Sequence, residues 1–310
     1  MSAGDLTREA VGTVRTGPEA ADRAAESPAG PPMSYVYGVG RDDGSFRRLV
    51  RTMSGVDGHG VRLVAGGGLV ALTSPVPGEV FDEAALRAQL EDLARLEAIA
   101  RAHHAVVDAA FAEAVVLPLR LATVYLDESR VADMLAHHRG RFTESLAWLD
   151  GHVELGVKVH ADPEAMAPPA AAPRATTAGA SSPGRAYLEQ RRQRRRSTED
   201  LYRAAGAVAV DVTNVAQALA RATVVHRPQR GELSGRRGVN LTNHAYLVPA
   251  DDAERFRAEV GAVVGSAPGV EVEVTGPWAP YSFAAPGTAE AGAEGAGGDG
   301  NQGGDGAEPR

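Results

Sequence analysis

The sequence predicts an α+β protein: two folded blocks, residues 33–150 and 151–283, set between segments of low complexity. Three observations carry this reading. The chain has 310 residues, and at roughly 100–200 residues per domain that length favours two domains over one. Short β-branched and aromatic runs alternate with long stretches of helical period. The later block also reads as strand, helix, strand, strand, helix, strand, the order of a ferredoxin-like unit.

The elements follow in order. Ser34-Tyr-Val-Tyr-Gly-Val39 opens the first block as a strand. Val61–Val64 and Leu69–Thr73 form a hairpin across Gly66-Gly67-Gly68, because two apolar runs split by glycines are the usual hairpin signal. Asp82 caps a long amphipathic helix through Leu86, Leu90, Leu93, Leu96, Ala100, His103, Val107 and Phe111, spaced by three and four. Val115–Tyr125 is strand-like, and Pro118 within it lacks an N–H and so suits an edge or a bulge. Glu128–Leu149 is a second helix, with Val131, Leu135, His138, Phe142, Leu146 and Leu149 on one face. The second block starts with the alternating strand His152–Val159, continues with a polar-faced helix from about Arg185, and then gives strands at Thr223–Val225 and Leu241–Val248. A helix at 251–264 with Asp251 at its N-cap and a last strand Val270–Val274 complete it.

Three segments are too poor in large apolar residues to offset chain entropy and are expected to be disordered: Met1–Pro32, the Pro/Ala insertion Ala161–Pro183, and the tail Ala284–Arg310. That tail holds Glu290, Glu294, Asp299, Asp305 and Glu308 against Arg310, half of the formal net charge of −8. The folded body is therefore milder in charge than the total implies.

Composition excludes several functions. Cysteine is absent, which removes disulfides, thiolate metal sites and cysteine nucleophiles. No apolar run approaches the roughly 20 residues of a bilayer helix, and no basic start leads into an apolar stretch as in a secretory signal. The expectation is a soluble, cytosolic protein. The glycine triplet 66–68 precedes another strand, with no lysine behind it, whereas a phosphate loop must feed a helix N-terminus. The doublets His103-His104 and His137-His138 point about 100° apart on a helix, so neither is a chelate by itself; packing or surface roles are expected. No Gly-x-Ser-x-Gly elbow occurs. No catalytic, metal or cofactor residue is assigned.

The strongest charge feature is Arg191, Arg192, Arg194, Arg195 and Arg196, flanked by Glu189, Glu199 and Asp200. A solvated helix face paired at i,i+4 is the first reading, an acidic protein partner the second and nucleic acid the third.

Taken in order, several segments resemble one family. They are Tyr35-Val-Tyr-Gly-Val39, Val116-Leu-Pro-Leu-Arg-Leu-Ala-Thr-Val124, Val157-Lys-Val159, Gly184-Arg-Ala-Tyr-Leu188, Asn243-His-Ala-Tyr-Leu-Val248 and Gly276-Pro-Trp-Ala-Pro-Tyr-Ser-Phe283. This series resembles the gas vesicle protein GvpL/GvpF family across roughly 34–283. The last motif is the most specific. Leu121-Ala122, His244 and Ala279 depart from the usual family residues. The resemblance implies a two-domain α+β fold with a ferredoxin-like second domain. It also implies a non-enzymatic accessory protein, a minor vesicle component that binds the small hydrophobic shell protein and assists nucleation and assembly. The implied partners are that shell protein and other vesicle accessory proteins, in the cytoplasm and on the vesicle; no nucleic acid and no membrane is expected.

A holder of an apolar partner needs a groove or a sheet edge rather than an acid or a base. Tyr35, Tyr37 and Trp148 are candidate aromatic anchors where they are exposed; the other reading places them in the core. Arg120 and the run through Arg191, Arg192 and Arg195 are candidate polar contacts. The competing reading is a nucleic-acid-binding regulator using Arg191–Arg196, which the net charge disfavours. An enzyme is the third class.

Overall fold

The computed structural model describes residues 31–165, 183–228, 238–263, 265 and 267–284. Apart from their edges, the three segments expected to be disordered lie outside the described residues.

The architecture is mixed α and β, with two antiparallel sheets. In the first sheet β1 (Met33–Arg41) is central. It pairs on one side with β3 (Leu69–Val76), which pairs with β2 (Arg62–Gly66). The β2–β3 turn is the expected glycine hairpin: Gly67 and Gly68 sit at φ +62° and +80°, a pair of left-handed positions that glycine adopts without strain. On its other side β1 meets two fragments, β4 (Leu117–Pro118) and β5 (Val124–Tyr125). One continuous strand over Val115–Tyr125 is therefore corrected. Pro118 cannot donate to the ladder, and Leu119–Thr123 forms a loop with Ala122 left-handed at φ +63°. The loop is held by the Ala122 N–H, which donates to Tyr35 Oη at 3.0 Å.

Both predicted long helices are broken. α1 (Gly78–Phe81) and α2 (Glu83–Glu91) are followed by α3 (Leu93–Glu113). Asp82 caps α2 as expected, but Asp92 restarts the chain as a second N-cap, accepting from the Ala94 and Arg95 N–H groups. Leu93 is consequently exposed, and α3 buries Ile99, His103, Val106, Val107 and Ala110. The second helix divides at His138 into α4 (Glu128–His137) and α5 (Arg139–Leu149).

The second sheet has the order β7-β8-β6-β9, built from β6 (His152–Ala161), β7 (Ala222–His226), β8 (Val239–Pro249) and β9 (Val270–Trp278). α6 (Pro183–Leu219) and α7 (Ala253–Val263) cover one face. The Ala250–Asp252 segment is a 3-10 turn ahead of α7, so Asp251 lies in that turn instead of capping the helix directly. Along α6 the described side chains are exposed or half-buried until Leu201, after which Leu201, Ala205, Ala209, Val212 and Ala216 pack on the sheet. At 1.5 Å per residue, the 18 residues before Leu201 make an arm of about 27 Å with no buried described side chain.

Three apolar clusters explain the layering. Leu155, Val157 and Val159 alternate along β6, so they share one face of the second sheet, and they pack there with Tyr246, Val248 and Phe256 beneath α6 and α7. Tyr35, Tyr37, Val70 and Leu72 pack on α3 and also receive Ala279 from the C-terminal strand exit. The third cluster joins the two sheets, since Val36, Val39, Leu135 and Leu146 pack with Ala245, Leu247 and Phe283.

Candidate protein-binding groove

The irregular β4–β5 edge of the first sheet is not covered by another strand among the described residues. Each local feature there follows from sequence. Asp127, two residues after β5, caps α4: its Oδ1 accepts from the Ser129 hydroxyl at 2.7 Å and the Arg130 N–H at 2.9 Å. Those bonds hold its carboxyl below the usual range. The break at His138 turns α5 so that His138, Arg141, Phe142 and Ser145 line the same hollow as Met134 of α4. The opposite wall is Tyr281, Ser282 and Ala284.

That wall is fastened to the second sheet. The Ser282 N–H donates to Glu154 Oε2 at 2.8 Å and its hydroxyl to Oε1 at 2.7 Å. Burial pushes the Glu154 carboxyl up, and the two bonds from Ser282 partly offset that. His226 Nε2 lies 3.0 Å from Ser282 Oγ. Because the serine proton is given to Glu154, the histidine donates to Oγ, and the arrangement is a fastening rather than an activated nucleophile.

The resulting groove encloses about 520 Å³. Its floor is apolar, with Leu117, Leu119, Tyr125, Met134 and Phe142, and its rim carries Arg120, Arg141 and His138. Tyr125, Met134 and His138 continue it into a shallower hollow of about 560 Å³ beside Leu126 and Arg130. Leu126 is 67% exposed there. Arg41, Arg62, Arg95 and Arg195 are paired with carboxylates. Arg120 and Arg141, by contrast, make no ion pair among the described residues.

The residues singled out in the sequence fall in different places. Tyr35 and Tyr37 are 0% exposed, which corrects their reading as surface anchors. They lie two apart on one strand and therefore face the same core. Tyr37 Oη donates to Ser74 at 2.9 Å and accepts from the Val56 N–H. Tyr35 Oη lies 3.1 Å from His103 Nδ1 and also accepts from the Ala122 N–H. Burial lowers the His103 pKa to about 4.

Arg120 is exposed on the groove rim. Trp148 is 39% exposed, with the Arg221 guanidinium 3.7 Å above its ring, and it does not line the groove. Arg191, Arg192 and Arg195 are exposed on the arm of α6 and do not line it either; Arg195 pairs with Glu199 at 3.0 Å. Sequence periodicity misses Met134 and Arg141. Met134 has no signal of its own, and Phe142 and His138 fall on a helix face that their spacing assigns to the core.

Among the described residues no helix is long and apolar enough to cross a membrane.

Comparison with known proteins places this groove in context. The family described as "Gas vesicle synthesis protein GvpL/GvpF" matches residues 33–285. The chain is 46% identical over 253 residues to gas vesicle protein L of Streptomyces sp. (strain CB03234), covering 81% of this chain and 92% of that protein. It is 30% identical over 256 residues to gas vesicle protein F of the same organism, covering 81% and 98%. Two crystal structures of GvpF share the fold. The one from Anabaena sp. PCC7120 has a TM-score of 0.55 at 18% identity, covering 82% of this chain and 96% of that one. The one from Microcystis aeruginosa has a TM-score of 0.53 at 19% identity, covering 82% and 99%. The family match spans both sheets and all three walls of the groove, and the chain belongs to the gas vesicle GvpL/GvpF family.

Proposed function

We propose that this protein is an L-type gas vesicle accessory protein, without catalytic activity, that binds the small hydrophobic major shell protein and keeps it from aggregating. It then assists nucleation and assembly of the vesicle, where the protein remains as a minor component, the rest being cytoplasmic. Family membership and the higher identity to a protein L than to a protein F support the type. The observation that carries the mechanism is the open, apolar-floored groove at the β4–β5 edge.

A holder must bind reversibly. Burying three apolar side chains contributes on the order of 5–9 kcal/mol, from which the loss of rigid-body freedom is subtracted. What remains corresponds to weak, exchangeable binding, which suits delivery better than storage. The proposal also takes 33–150 and 151–283 as two domains, the second ferredoxin-like. Its β-α-β-β-α-β order and the sheet order β7-β8-β6-β9 support that reading.

The test is capture of the purified shell protein by the full chain, with light scattering of the shell protein followed alongside. The expected result is capture and reduced scattering at near-equal amounts. The alternative, nucleic-acid binding through Arg191–Arg196, predicts no capture, together with DNA affinity that collapses between about 50 and 200 mM salt.

A further inference from the structure

The groove has a neighbouring hollow with which it shares Tyr281, and the linings of these two arms have opposite charge. On the far side of Tyr281, whose ring lines both, lies a second hollow of about 590 Å³. Its polar lining is Asp108, Glu154, His103 and His104, and its apolar lining includes Leu121 and Trp278. Among the described residues no lysine or arginine lines it, while the groove bearing Arg120 and Arg141 is lined by no aspartate or glutamate short of its shallow continuation, which holds both Arg130 and Asp133. Asp108 makes no ion pair among the described residues. Both arms therefore present charge that the described fold leaves unanswered, over apolar floors.

Two aromatic rings flank the acidic arm, Trp278 at 49% exposure and Tyr281. Carboxylate beside aromatic face is a setting for a lysine or arginine side chain, through ion pairing and cation–π contact. Unpaired arginines over an apolar floor suit a carboxylate next to an apolar side chain.

We infer that the two arms, meeting at Tyr281, act as one cleft that takes one segment of a partner protein in a fixed direction: an apolar stretch with an acidic end over Arg120 and Arg141 and a basic end over Asp108 and Trp278. This rests on the groove reading and adds the chemistry and orientation of its occupant. Charge complementarity selects orientation more than it adds affinity, because a reversed segment meets like charge at both ends.

The experiment uses the full chain and three helical peptides of leucine and alanine. One has glutamates at one end and lysines at the other, one has glutamates at both ends, and one has lysines at both. Titration calorimetry at low salt is expected to give the mixed peptide at least about tenfold tighter binding than either of the others. A nitroxide on its glutamate end is expected to broaden the Met134 methyl signal and to spare the Trp278 indole signal. In the Arg120→Glu, Arg141→Glu double variant, preference shifts to the peptide with lysines at both ends, a gain that misfolding cannot imitate. Equal affinity for a one-sign peptide, broadening of both signals alike, no binding at all, or an unchanged preference in the double variant would each overturn the inference. Shell-protein capture can fail while the mixed peptide still binds in this orientation, which separates the two proposals.

Discussion

Leu247→Ala is expected to lower stability by about 2–5 kcal/mol, the usual result of truncating a fully buried leucine, and to weaken both halves of the molecule together. Leu247 belongs to β8 in the second sheet, yet it is 0% exposed within a cluster that includes Val36, Leu135 and Leu146 of the first half. The cavity therefore opens in apolar contacts that both sheets share. Urea unfolding followed in single-tryptophan variants retaining Trp148 on α5 or Trp278 on β9 checks this. The two midpoints are expected to coincide and to fall together in the alanine variant. Loss confined to the Trp278 transition would show that the halves unfold as independent units.

Acid is expected to remove about 3 kcal/mol through one residue. His103 is 1% exposed with Nδ1 3.1 Å from Tyr35 Oη, and His104 adds repulsion to any proton it takes up. Its folded pKa of about 4 lies below the ordinary 6.5, so the unfolded chain binds the proton more readily. The contribution is fully present above pH 6.5, falls as pH drops through the 6.5 to 4 window, and is gone below it. Unfolding free energies of the wild type and His103→Gln, compared at neutral pH and at about pH 4.5 within that window, measure it. The variant should be less stable at neutral pH and should lose less on acidification; parallel slopes would remove His103 as the cause.

Much of the fold is legible in the sequence because its signals are local. The glycines at 66–68, the alternation in His152–Val159 and the Asp82 cap each state an element within a few residues. The break at Asp92 is also written in the chain, since aspartate is a preferred N-cap, but the apolar period running from Leu86 to Leu96 masks it. The split of Val115–Tyr125 is half legible: Pro118 announces an edge, while the left-handed Ala122 depends on the distant Tyr35 hydroxyl. The groove is legible only at Pro118 and Arg120. Its walls come from 117–125, 134–145 and 281–284, and no local pattern reports that these meet. Two of the three aromatic candidates fail for a related reason. Tyr35 and Tyr37 are amphipathic residues whose burial depends on finding hydroxyl partners, and His103 and Ser74 are supplied from elsewhere in the chain.

Hydrogen exchange of the full chain with and without the major shell protein tests the central claim most directly. The account predicts slowed exchange at Leu117 and Leu119, at Tyr125 and along α4 and α5 facing the groove, with the arm of α6 unchanged. Protection confined to residues 187–200 of α6, with the groove exchanging as in the free protein, would contradict it.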